Sequence, residues 1–171
     1  DGTSIRGIMR EVGGEIGLFY YYFKTKDALF TEVLEHFFEP YKKDFEALVE
    51  EARQKPYQAL LRFFLYIKRE VHAFREQYAD HMHRTVRWAI REQTLTVIEP
   101  YIEDIIRILV SYGAQPKMEI RVTAVFLAHG IGSVLLHEDA DWVDEATGEI
   151  RKTVNMIMGL DEEASRTMFE M

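Results

Sequence analysis

Residues 3–30 read Thr-Ser-Ile-Arg-Gly-Ile-Met-Arg-Glu-Val-Gly-Gly-Glu-Ile-Gly-Leu-Phe-Tyr-Tyr-Tyr-Phe-Lys-Thr-Lys-Asp-Ala-Leu-Phe. Ile5, Ile8, Met9 and Val12 fall on one helical face, and Ser4 stands where an N-cap belongs. Gly13-Gly14 stops that helix, and Gly13 suits the left-handed position of a tight turn. A second short helix is expected over residues 15–23, and Thr25 is placed to cap a third that starts at Lys26. Two short helices across a glycine turn are the grammar of a helix-turn-helix unit, whose second helix enters the DNA major groove. Ile8, Val12, Phe19 and Phe23 are expected to hold the two helices together.

Outward from this segment the chain continues helix after helix, without strand-like alternation or internal repeat. Leu29, Phe30, Val33, Leu34, Phe37, Phe38, Tyr41, Phe45 and Leu48 recur at helical spacing. Pro56 opens the next helix, where proline is tolerated. Its stripe runs through Leu60, Phe64, Ile67, Val71, Phe74 and Tyr78. A separate segment is expected over 80–91, then a helix over 94–112 with Pro100 near its first turns or at a kink. Gly113-Ala114-Gln115-Pro116 is a stop. Residues 117–136 form the most apolar helix, and a last long helix ends near Gly159. The tail 161–171 is expected to add a short helix. The fold class is all-α, with a short-helix head followed by a bundle of long helices that need one another to bury their faces.

Composition narrows the chemistry. At 171 residues, 47% hydrophobic and 13% aromatic, the chain can bury a globular core. Cysteine is absent, which excludes disulfides, thiol nucleophiles and cysteine-ligated zinc. No apolar run approaches the roughly 20 residues of a membrane-spanning helix, and a cytoplasmic location is expected. His81 and His83 would point about 200° apart on a helix. No histidine follows a Glu at the three-residue spacing of a di-iron bundle, so no metal or cofactor is expected. No nucleophile elbow or phosphate-binding loop is present, which argues against an enzyme. The net charge of −8 would repel DNA if it were spread evenly. It is not: Arg6, Arg10, Lys24 and Lys26 balance Asp1, Glu11, Glu15 and Asp27 within the first 30 residues, and all the net acidity lies beyond them.

The opening stretch resembles the DNA-binding segment of the tetracycline-repressor (TetR) family of transcriptional regulators. The matching residues are Thr3-Ser4, Ile8, Glu11, Gly13 and Gly17, then the run from Phe19 to Asp27 and Leu29. Family members carry a further helix ahead of the Thr-Ser start, and their turn commonly reads Gly-Val-Ser where this chain has Gly13-Gly14-Glu15. The resemblance implies a DNA-binding head over 1–25 and an effector-binding and dimerisation body over 26–171. It implies that Thr3 and Ser4 bond phosphate and that Arg6 reads guanine. Gly17 would allow close backbone approach, and Leu18 would touch a thymine methyl. Tyr20, Tyr21 and Tyr22 would add hydroxyl contacts, and Lys26 would neutralise phosphate. Glu15 would cap the second helix or read a cytosine amino group. The competing reading makes Tyr20 to Phe23 plain core and rim aromatics.

The resemblance also implies a double-stranded operator, a two-fold homodimer and a small-molecule effector. Ala124, Ala128 and Gly132 recur every four residues and make a smooth face. That face suits a neighbouring helix of the same chain or of a second copy, and the resemblance favours the second copy, together with Val154 and Ile157. Phe63, Phe64, Tyr66, Phe74, Tyr78, Met82, His83, Trp88, Phe126 and His129 are candidates for an effector pocket with an apolar, aromatic lining and few charges. The same residues read equally well as an aromatic core. A different class of function also fits a head with no net charge: a helical interaction protein that has lost DNA affinity and binds another protein.

Overall fold

The computed structural model describes residues 4–78, 82–137 and 139–160. Those residues form seven helices and no strand: α1 (Ile5–Glu11), α2 (Ile16–Tyr22), α3 (Lys26–Ala52), α4 (Pro56–Tyr78), α5 (Arg84–Ser111), α6 (Ile120–Leu135) and α7 (Ala140–Met158). The chain is all-α. The expected helix over 161–171 lies outside the described residues.

Local chemistry sets most helix ends. Ser4 Oγ accepts the amide of Gly7 at 3.0 Å, and Thr25 Oγ1 accepts that of Ala28 at 3.0 Å. Each satisfies one of the amides that a helix start leaves without a partner. Gly13 stops α1 at φ 70°, and the Gly14 amide donates back to the Met9 carbonyl at 2.9 Å. Gly159 ends α7 at φ 61°.

Two expectations about helices are corrected. Residues 84–111 are one continuous helix rather than two segments. The polar run 91–96 contains no breaker, and Thr94 and Thr96 return their hydroxyls to the carbonyls of Ile90 and Glu92. Pro100 therefore lies deep inside α5, not near its start. It sits on the exposed face, as does Pro40 in α3, so the carbonyls each proline leaves without a partner face water. The second correction concerns the head. Val12 caps α1 and is 68% exposed, while Met9 and Phe19 are the buried pair. Gly14 makes this possible, because a Cβ there would stand 2.6 Å from Met9 Cε.

The body is built around α5. Leu95, Ile98, Ile102, Ile105, Ile106 and Leu109 are buried against α3, α4 and α6. Phe45, Leu60, Phe63, Leu127 and Met158 complete the most enclosed part of the core. Truncating any one of these to Ala would cost about 2–5 kcal/mol. Tyrosines tie the far end of the bundle: Tyr57 donates to the Tyr112 carbonyl at 2.8 Å, and Tyr112 donates to the Arg53 carbonyl at 3.1 Å.

The small-residue face of α6 is also corrected. Ala124, Ala128 and Gly132 are buried against α5 of the same chain. A Cβ on Gly132 would lie 2.6 Å from Leu95 Cδ2 and 3.6 Å from Ile98 Cδ1. Val154 and Ile157 likewise belong to the chain's own core. The glycine and alanines admit α5, and a second copy cannot use a face already filled. The outward side of α6 instead shows Val122, Val125 and Phe126, exposed at 53%, 36% and 54%.

Candidate nucleic-acid interface and body cavity

The two N-terminal helices present an exposed, mostly uncharged surface. Phe19 alone of α2 is buried, so it anchors that helix to α1. Leu18, Tyr20, Tyr21 and Tyr22 all point to solvent, with Tyr21 at 79% exposure. The tyrosine run is therefore not core: three phenols and a leucine stand exposed on one short helix. Tyr21 and Tyr22 meet edge to face at 4.9 Å, and Phe19 braces Tyr20 at 5.3 Å, which limits their freedom before any partner arrives. Gly17 lies on the same helix, and a Cβ there would touch nothing within 4 Å. Arg6 and Arg10 are exposed on α1 rather than α2, which carries no charged residue. Glu15 occupies the N-cap of α2, but its carboxylate makes no capping bond, which corrects the capping role expected of it. Ser4 spends its hydroxyl on α1, Lys26 opens α3, and Thr3 lies outside the described residues.

A cavity of about 600 Å³ opens between α3, α4 and α5. Phe37, Phe38, Tyr41 and Phe45 line it from α3, and Tyr66, Ile67, Val71 and Phe74 from α4. Its size and aromatic wall are those of a small-molecule site. The opposite wall departs from the expected scarcity of charge: Arg84, Arg87 and Arg91 of α5 line it with Trp88 and Thr94. Arg75 closes one end, donating to the Leu136 carbonyl at 2.5 Å. Glu70 lines it too, with Arg69 paired to its carboxylate at 2.9 Å.

The cavity's phenols stay neutral. Burial first, then Glu70, Tyr78 and Asp44, raises Tyr41 above the ordinary phenol value. Burial raises Tyr66 much further, reinforced by the bond its hydroxyl donates to Asp44 at 2.5 Å. The positive charge of the α5 wall is therefore not offset by phenolate.

Of the ten expected pocket residues, Trp88, Tyr66 and Phe74 line this cavity. Phe63 stands one layer behind, stacked 5.2 Å from Phe45, and Phe64 is buried in the core. Tyr78 rests on Phe74 at 5.1 Å. Met82 is half-buried, and His83 caps α5, its Nδ1 accepting the Thr85 amide at 3.3 Å. Phe126 is on the outer face of α6, and His129 is paired with Glu99 at 2.7 Å. None of these seven lines the cavity: α4 and α6 turn theirs toward the core, the helix end or solvent, and Met82 and His83 lie in the α4–α5 connection. Among the described residues no cluster of His, Asp and Glu is arranged to hold a metal. No described helix is long and apolar enough to cross a membrane.

The residues sequence reasoning missed are the α5 arginines and the α3 wall. Arg84, Arg87, Trp88, Arg91 and Thr94 follow helical spacing and share one face once residues 84–94 are read as one helix. The α3 aromatics carried no such signal, since a stripe facing a cavity looks like a stripe facing a core.

Residues 1–33 match the family model described as bacterial regulatory proteins, tetR family. No curated protein and no solved structure matches the chain. The match supports a DNA-binding transcriptional regulator.

Proposed function

We propose that this chain, whose N-terminal segment is that of a tetR-family regulator, is a repressor released from a palindromic operator by a small molecule held in the body cavity. The observation that carries the reading is the exposed surface of α2, Leu18 and Tyr20 to Tyr22 beside Gly17, within the segment that matches the family. That surface has the shape and chemistry of a helix that enters a major groove: a leucine for a thymine methyl, phenols for phosphate, and a glycine for close approach. Ser4, Arg6 and Lys26 flank it and position the head on the backbone, with Thr3 ahead of them. Glu15, free of a capping bond, is available to a cytosine amino group.

The division into a head over 1–25 and a body over 26–171 follows from this reading. α3 joins the two without a break, so a ligand pressing on Phe37, Phe38 or Tyr41 moves the helix that carries the head. An effector acts by favouring one head spacing over another. Two copies meet through the outward side of α6, where Val122, Val125 and Phe126 supply an apolar seam and Gly130 a close approach. No step requires catalysis or a cofactor, and the work is done where the DNA is, in the cytoplasm.

The test is a selection of duplexes from a random pool, followed by fluorescence anisotropy on the winner. The reading predicts an inverted repeat bound by a dimer, with affinity weakened on Arg6→Ala and on Tyr21→Ala. A folded dimer that enriches no sequence would instead favour the interaction-protein reading, which the uncharged α2 and the neutral head support.

A further inference from the structure

The α5 wall of the cavity is the least expected surface of the body. The chain carries a net charge of −8, so acids to neutralise an arginine are plentiful. Arg53, Arg69 and Arg107 each pair with a glutamate. Arg84, Arg87 and Arg91 line one cavity and make no ion pair among the described residues. Arg91 goes further: its Nε is buried without a hydrogen-bond partner. A buried guanidinium nitrogen left unbonded is costly, so Arg91 is held in the wall by the packing around it rather than by a polar partner at Nε. Nor does the opposite wall supply a counter-charge: Tyr66 gives its hydroxyl to Asp44, and Glu70 is held by Arg69.

We propose that the cavity takes an amphipathic organic anion, with an apolar body among the α3 and α4 rings and a carboxylate head on Arg87 and Arg91. This rests on reading the cavity as the effector site. The planar guanidinium offers paired N–H groups that match a carboxylate edge to edge, and the half-buried position of Arg91 keeps that pair from being fully hydrated. Arg84, one turn before Arg87 and exposed like it, adds attraction at the mouth. Trp88, 65% exposed at the same mouth, lies where it reports occupancy by its fluorescence.

The experiment is calorimetric titration of the full chain with straight-chain carboxylates of graded length and with 2-naphthoate. Each is paired with the neutral alcohol of the same body. The carboxylate of at least one pair binds about tenfold or more tightly than its alcohol. Arg91→Gln and Arg87→Gln each remove most of that difference while leaving the alcohol's affinity within about twofold. Unchanged circular dichroism and melting establish that the variants fold, and the exposed Arg84→Gln serves as a milder second variant. Alcohols that bind as well as their acids, or variants that weaken both equally, would overturn the anion while leaving the cavity as a site. No binding by either member of any pair, with Trp88 emission unmoved in a Trp142→Phe background, would overturn the anion and the effector cavity together.

Discussion

Replacing Gly17 with alanine separates what the fold needs from what DNA binding needs. The residue is the second of α2, and an added Cβ would meet no protein atom within 4 Å. Glycine is about 0.8–1 kcal/mol worse than alanine inside a helix, somewhat less in the first turn. Gly17→Ala should therefore leave the head as stable as before or more stable by several tenths of a kcal/mol. If α2 lies in the groove, the methyl group meets the DNA instead. A loss of about 1.4 kcal/mol per head is tenfold in affinity. Two heads acting independently make that about a hundredfold for the dimer. Anisotropy on the selected operator measures the loss, and thermal melting followed by circular dichroism measures the stability. Gly148→Ala is the control: it also meets nothing within 4 Å, but on α7, and should leave operator binding unchanged. An alanine at 17 that binds within twofold of the parent would refute the close approach. One that melts early would show that the fold itself required the glycine.

Further outcomes follow from the body. Gly159→Ala puts a Cβ 2.3 Å from the Gln115 carbonyl oxygen at φ 61°, and strains the bonds by which Gln115 and Lys117 donate to Met158 and Ile157. The left-handed cost and two weakened hydrogen bonds total about 2–4 kcal/mol, a drop in Tm of roughly 5–15 °C by calorimetry. Phe126→Glu should leave the fold intact and convert the dimer to monomer by analytical ultracentrifugation, since its ring is exposed on α6; a dimer that persists would place the seam elsewhere. Glu119 accepts the amides of Arg121 and Val122 at the start of α6, which holds its carboxyl below its ordinary value of 4.5. Its contribution to stability is complete above about pH 4.5 and is lost as pH falls through the lowered folded value. Urea midpoints of Glu119→Gln and parent should therefore differ at pH 7 and converge in acid.

Much of the fold was legible because cap chemistry is local. Ser4, Gly13, Thr25 and Gly159 need only their neighbours to act, and each marks a helix end as its residue type dictates. The break expected between 91 and 94 was illegible for the opposite reason. A polar run ahead of Pro100 looks like a stop until the burial of Leu95, Ile98 and Ile102 against three helices overrides it. The Ala124, Ala128 and Gly132 face was found, but sequence does not say which helix fills it, and α5 does. The tyrosine run of α2 was legible as a surface through the family resemblance alone, since composition favours burying aromatics. The arginines of α5 were legible only in phase, once residues 84–94 form one helix.

The salt dependence of operator binding tests the central claim most directly. Each copy carries Arg6, Arg10 and Lys24 in the head and Lys26 at the start of α3, so a dimer brings eight of these cations toward phosphate. At about 0.9 per neutralised phosphate, these eight contribute up to about −7 to the slope of log affinity against log salt. Arg6→Ala, applied to both heads, should reduce it by about 2. Tight binding to the selected duplex with that slope is the predicted result. A folded dimer that fails to bind duplex DNA at low salt, or binds it without salt dependence, would contradict the account.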